Sequence, residues 1–257
     1  MKKLLLAILT GFAALSMTAC GKSNKLVIGT NAAFPPFEYK DDDGNITGFD
    51  MDLIRGYGEY VGKKVEIKDM EFDAALTSAA KGKIDIAIAG ITKNEKREET
   101  LSFSKSYYSS NQVVICKQGS SFSTLTTEDE ILEALKGKKI GCQRATTGQF
   151  YIEGDEDWEF DGIEGAECKP YDNGGLAIKD LSNGKIDAVI LDEAPAKNIV
   201  RKNYNSTLMI LETALTEEDY AIAVKKGNTE LVESLNKYID HIKASGEYNT
   251  LLNKYFG

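Results

Sequence analysis

The stretch DMDLIRGYGEYVGKKVEIKDMEFDAALTSAAKGKIDIAIA, residues 50–89, decides the architecture. Leu53, Ile54, Tyr57 and Val61 recur at helical spacing, and Asp50 stands where it can cap that helix. Val65 to Ile67 reads as a strand. Phe72 to Lys81 reads as a second helix, stopped by Gly82, a residue suited to a helix end. Ile84 to Ala89 is largely apolar, as in a strand buried on both faces. With Leu26 to Gly29 ahead of it as another strand, the order is βαβα, which predicts a parallel sheet wrapped by helices.

The same rhythm restarts downstream. A helix over Glu128 to Leu135 precedes strand Ile140 to Gln143; strand Glu167 to Tyr171, helix Gly175 to Leu181 and strand Ile186 to Leu191 follow. A helix from Ala194 to about Arg201, an extended stretch Leu208 to Leu211 and strand Tyr220 to Val224 lead to C-terminal helices. In these, Leu231, Leu235, Ile239 and Ile242 share a face. Asp41-Asp42-Asp43-Gly44-Asn45 is a solvated hairpin turn; as a calcium loop it has its glycine too early and no closing glutamate. Two α/β units in one chain predict two lobes, with a cleft where strand ends meet.

At the N-terminus, Lys2 and Lys3 precede the apolar run Leu4 to Leu15 and the small-residue stretch Ser16 to Cys20. This is the layout of a secretory signal peptide, with an apolar run too short to span a bilayer permanently. Thr18-Ala19-Cys20-Gly21 resembles a bacterial lipobox, with Met17 where Leu, Val or Ile is usual. The resemblance implies a signal peptide at 1–19, a diacylglycerol on Cys20, and an anchor and linker at 20–25. The chain would then sit on the extracytoplasmic face of the cell membrane.

The formal charge is −9, and removing residues 1–19 takes two lysines with it. An acidic chain is a poor match for nucleic acid, whose phosphates demand a basic surface. Beyond Cys20 there are three cysteines, Cys116, Cys142 and Cys168, an odd number that excludes full pairing. Cys142 and Cys168 fall in predicted strands of one sheet, where a bridge is possible; free thiols are the expectation. The single histidine, His241, lies on the polar side of the C-terminal helix, and no metal-ligand, phosphate-loop or dinucleotide motif is present. No catalytic residue, metal or cofactor is therefore expected.

What the sequence does offer is equipment for a zwitterion. Gly90 and Thr92 follow the buried strand and lead to Arg97, whose planar fork suits a carboxylate. In the second unit, Thr146 and Thr147 form a loop-to-helix turn with free N–H groups, and Asp192 ends a strand where an ammonium could pair.

From Lys25 to Gly257 the chain resembles the polar-amino-acid family of periplasmic-type solute-binding proteins, which includes glutamine-, histidine- and arginine-binding members. The matching runs include Leu26 to Thr30, Pro36 to Tyr39, Gly48 to Leu53, Ile88 to Thr92, Glu95-Lys96-Arg97, Gly184 to Val189 and Tyr220 to Gly227. The resemblance implies the two-lobed type II periplasmic-binding fold, each lobe a mostly parallel sheet flanked by helices. It places lobe 1 at 26–110 with 216–257 and lobe 2 at 111–215, hinged near Ser109–Gln112 and Leu211–Glu218. It implies a monomer without enzymatic activity that closes on a free polar amino acid and delivers it to a membrane permease with a cytoplasmic ATPase, an ABC importer.

Site roles follow from the same resemblance. Arg97, with Thr92 and the Thr147 backbone, would hold the ligand carboxylate. Asp192, the Gly90 carbonyl and the Thr92 hydroxyl would take the ammonium, and Phe34 and Phe72 would sandwich the side chain. Asn31 stands where several relatives carry Asp, whereas the loop from Gln143 to Gln149 is similar to arginine-binding relatives. The ligand side chain is left open between glutamine, a basic amino acid, cystine and an acidic one. Two rivals share the fold: a dehydratase on prephenate-like acids, with Glu38 as its cleft acid, and a sensing subunit.

Overall fold

The computed structural model describes residues 24–156 and 159–257. The expected signal peptide, Cys20 and most of the linker lie outside the described residues. Strand β1 (Lys25–Thr30) leads into a small sheet of β2 (Ala33–Phe34), β3 (Glu38–Lys40) and β4 (Ile46–Thr47). Then come α1 (Phe49–Tyr60), β5 (Lys64–Asp69), α2 (Phe72–Ala80), β6 (Ile86–Ala87), α3 (Glu95–Glu98), β7 (Leu101–Phe103) and β8 (Tyr108–Ser110). The chain crosses over to build β9 (Gln112–Lys117), α4 (Glu128–Leu135), β10 (Lys139–Gln143), α5 (Thr147–Glu153) and β11 (Glu167–Tyr171). It continues through α6 (Gly174–Ser182), β12 (Ala188–Asp192), α7 (Glu193–Asn203) and β13 (Leu208–Ile210). Finally it returns as β14 (Glu218–Tyr220) and β15 (Ala223–Lys225) and ends in α8 (Thr229–Ser245) and α9 (Glu247–Phe256).

Two five-stranded sheets result, ordered β5-β1-β6-β15-β7 and β11-β10-β12-β9-β13. The parallel expectation holds for the three strands of each sheet that are joined through helices: β5, β1 and β6, and β11, β10 and β12. The other two strands of each sheet pair antiparallel. The physical reason lies in the connections: a parallel neighbour needs a crossover segment, whereas β9 and β15 enter their sheets directly from the crossings between lobes. Those crossings run side by side, because β8 and β14 pair antiparallel through Ser110↔Glu218 and Tyr108↔Tyr220.

Local chemistry accounts for most boundaries. Gly82 has φ +67° just past α2, the left-handed conformation that an L side chain resists. Asn94 caps α3 and Asn173 caps α6 through their side-chain carbonyls. One expectation is corrected: Asp50 is not the cap of α1. The cap is Gly48, and Asp50 sits inside the first turn, fully buried, where its Oδ2 accepts the Gly90 N–H at 2.9 Å and the Tyr107 hydroxyl at 2.8 Å. The hairpin turn stands as expected, with Asp41 Oδ1 accepting from the backbone N–H of Asp43 and Asn45.

In the first lobe an aromatic cluster centres on Phe37, whose ring lies 4.9–6.2 Å from those of Phe49, Tyr108, Tyr220 and Phe256. The C-terminal helix is thereby fastened onto α1, and Tyr255 donates to Asp52 at 2.6 Å. Among the described residues no helix is long and apolar enough to cross a membrane.

Candidate ligand-binding site

Strand ends from both sheets converge on one cavity. Asn31, Phe34, Phe72, Gly90, Thr92, Arg97, Gln143, Thr146, Thr147 and Asp192 all line it, joined by Glu38 and Ala89. Arg97 and Asp192 are 6% and 4% exposed, so their charges act in a setting where water screens little.

Arg97 is held rigidly. Its backbone N–H is capped by Asn94 Oδ1, Nη1 donates to the Thr92 carbonyl at 2.6 Å, and Nη2 donates across the cleft to the Ala145 carbonyl at 3.0 Å. The guanidinium stands 5.3 Å from the centre of the Phe72 ring, within cation–π range. Burial draws its pKa down to about 10, against the opposing pull of Glu218 and Asp192. Nε has no protein partner.

Glu218, on the strand that returns from the second lobe, organises the hydroxyls. Its Oε2 accepts from Thr92 Oγ1 at 2.5 Å and from Thr147 Oγ1 at 2.9 Å, joining the two lobes. Thr216 Oγ1 donates to the other oxygen at 2.8 Å. With its proton committed to Glu218, the Thr92 hydroxyl keeps lone pairs for an incoming N–H donor. Gln143 Nε2 makes another bridge, to Asn31 Oδ1 at 3.0 Å.

The acidic side of the cavity is equally buried. Asp192 accepts from the Tyr220 hydroxyl, and burial together with Glu218 raises its pKa to about 7. Glu38 is 0% exposed, with neither carboxyl oxygen hydrogen-bonded to protein. Burial pushes its carboxyl well above the ordinary range, and the neighbouring Asp50 pushes it further. Gly90 has φ +55°, and a side chain there would strike the Phe34 ring at 2.7 Å, so the close approach of this backbone to the cavity needs glycine.

The sequence reading passed over three contributors. Ala89 is anonymous in any buried strand. Glu38 was weighed only as an acid for catalysis, although its place beside Phe37 in a matching run was a signal. Glu218 fell in the expected hinge and carried no mark of its tie to Thr92 and Thr147. Arg144, by contrast, is exposed and lies near Asp172, outside the cavity. His241 is exposed too, against Tyr60, and no group of three His, Cys, Asp or Glu side chains among the described residues could hold a metal.

A buried cation, a buried anion and aromatic walls thus meet in one cavity between the two sheets. Residues 26–257 match the family of bacterial extracellular solute-binding proteins, family 3, and the chain belongs to it. It is 28% identical to the L-cystine-binding protein TcyJ of Escherichia coli, covering 98% of this chain and 92% of that one. It is 29% identical to the arginine-binding extracellular protein ArtP of Bacillus subtilis, covering 100% and 98%. An ancestral arginine-binding protein bound to arginine superposes with TM-score 0.82 at 37% identity, over 91% of this chain and 99% of that one. The ancestral amino acid-binding protein AncCDT-1, a precursor of cyclohexadienyl dehydratase, superposes with TM-score 0.79 at 27% identity, over 91% and 96%.

Proposed function

We propose that this protein captures a free amino acid outside the cytoplasm and holds it between its lobes. The observation that carries the reading is the pairing of Arg97 and Asp192 in one cavity. The ligand carboxylate would take the free Nε of Arg97 and the N–H groups opening α5 at Thr147. The ammonium would take Asp192, the Gly90 carbonyl and the Thr92 hydroxyl. Phe34 and Phe72 would flank the side chain, and Asn31, Gln143 and Thr146 would close over it.

Charge selects the side chain. With Arg97 and Asp192 spent on the backbone groups of the ligand, Glu38 is left as a buried acid whose charged neighbours, Asp50 and Asp192, are of like sign, and Gln143 Oε1 in the same cavity is unpartnered. A buried carboxylate without a partner is costly, and a cationic or amide side chain relieves it. Arginine fits best, since its fork offers several donors to two acceptors. The relatives named for arginine support this choice.

Because both lobes supply contacts, the liganded state favours closure about the β8–β14 pair, and closure is what a membrane permease with its ATPase would read. Both lobes come from one chain, so a monomer suffices. A lipid on Cys20 would keep the protein beside that permease. No catalysis is needed for this role, although the raised Glu38 is the acid a dehydratase would use.

A thermal-shift screen of the purified protein against the twenty amino acids, cystine and prephenate tests this reading. Ligand that binds only the native state must raise Tm. The expected result is a shift led by arginine with no turnover; a shift or turnover confined to prephenate would overturn it.

A further inference from the structure

We infer that Cys142 and Cys168 are a paired redox site: an external disulfide bridges them, and the bridge weakens ligand capture. The second half of this inference rests on the function proposed above; the first does not.

The two cysteines sit on neighbouring strands, β10 and β11, in parallel register. Ile140 pairs with Cys168 and Cys142 with Pro170, so the cysteines are two positions apart and share a face of the sheet. Their sulfurs stand 3.4 Å apart, and both are free thiols. A bridge requires about 2.0 Å, and we take the two-residue stagger of the cysteines to mean that the bond closes this gap by shifting the strands as well as by rotating the side chains. Strand β11 is the less restrained of the two, because among the described residues it is the sheet edge and pairs with β10 alone. Cys168 is half-buried and open to a reagent, whereas Cys142 is buried. Its exposure makes Cys168 the sulfur that a reagent meets first, and Cys168 and burial both raise the thiol of Cys142 behind it. The third free cysteine, Cys116, is buried on β9, beyond β12.

The chemistry balances with a small-molecule disulfide as oxidant. Cys168 loses its proton and attacks one sulfur, expelling a thiolate and forming a mixed disulfide. Cys142 then loses its proton and attacks Cys168 Sγ, expelling the second thiolate. Two protons and two electrons leave the protein, and the oxidant ends as two thiols.

A short path links this pair to the cavity. At the end of β11 the Tyr171 carbonyl accepts the Arg144 N–H at 2.8 Å. The next residue, Ala145, is held at φ 59°, a strained conformation for a non-glycine residue, and its carbonyl receives Arg97 Nη2. Displacing β11 therefore pulls on the turn that fixes Arg97. On the other side, Cys142 precedes Gln143, which bridges to Asn31.

The test incubates the full chain with oxidised or reduced glutathione, maps disulfides by peptide mass, and titrates each form with L-arginine. The oxidised protein should yield a Cys142–Cys168 peptide two hydrogens lighter than its reduced parts. Its Kd for arginine should rise about tenfold, the loss of one charge-assisted hydrogen bond. Dithiothreitol should reverse both changes, and Cys168→Ser treated with the same oxidant should keep the reduced Kd. Only glutathione adducts or free thiols at full oxidation would overturn the bridge. A bridge with unchanged Kd would overturn the coupling. If the reduced protein bound no amino acid, the coupling and the proposed function would both fall, and the peptide map would still decide the bridge.

Discussion

Arg97 spends two of its guanidinium N–H groups on the Thr92 and Ala145 carbonyls and would offer its unpartnered Nε to the ligand. Arg97→Ala should cost about 3 kcal/mol of binding, a hundredfold or more in Kd, with the fold intact by circular dichroism. Glu38 calls for a subtler variant. Glu38→Gln keeps the shape and removes the carboxyl that a cationic side chain would ionise, so arginine affinity should fall at least about tenfold while glutamine affinity changes little; equal losses by calorimetry would remove Glu38 from side-chain recognition. The raised acids also set a pH dependence. Asp192 and Asp50, lifted by burial to about 7 and about 6, bind more protons folded than unfolded. Their protonation thus stabilises the unliganded protein at low pH, and that stability is lost progressively as pH rises from about 4, the ordinary carboxylate value, to about 7. Tm of the unliganded protein should fall across that window, less steeply in Asp192→Asn, while ligand affinity should rise as Asp192 ionises. At this scale the sequence was most legible where a functional residue follows a buried strand, as Gly90, Thr92 and Asp192 do. It was least legible for Glu218, whose partners Thr92 and Thr147 are remote in sequence and meet it only once both lobes are formed.

Among the helices of the described residues, α3 is the shortest, and it carries Arg97. It spans only Glu95–Glu98, and its cap, Asn94 Oδ1, bonds the backbone of Arg97 itself. Losing such a cap costs about 1 kcal/mol, and here the loss falls on the residue that must be held still. Asn94→Ala should therefore raise Kd several-fold, with a matching drop in stability by urea titration; unchanged affinity would mean the Thr92 and Ala145 contacts suffice to place Arg97. Helices α1 and α2 were legible from their apolar periodicity, and the hairpin from its Asp-Gly turn. The role of Asp50 was not. Periodicity places a polar first-turn residue at the surface, and only the fold brings the Gly90 N–H and the Tyr107 hydroxyl to it. Likewise, the apolar run Ile84 to Ala89 reads as a long strand, but only Ile86–Ala87 are in the ladder, because the run's burial comes from packing as much as from pairing.

On the scale of the whole molecule, two βαβ units predicted two lobes, and two sheets were found. The antiparallel halves of those sheets were not legible, since they depend on where the chain crosses between lobes. Closure about the paired crossings at β8 and β14, as proposed, would bring the lobes together when ligand binds. Small-angle scattering should show a smaller radius of gyration with arginine present than without it, and no such change in Arg97→Ala. The most direct test of the central claim, that this cavity binds an amino acid by its zwitterionic end, is calorimetric titration of the wild-type protein and Arg97→Ala with L-arginine. The account predicts one-to-one binding that Arg97→Ala weakens by about a hundredfold or more. Wild-type binding that survives unchanged in Arg97→Ala would contradict it.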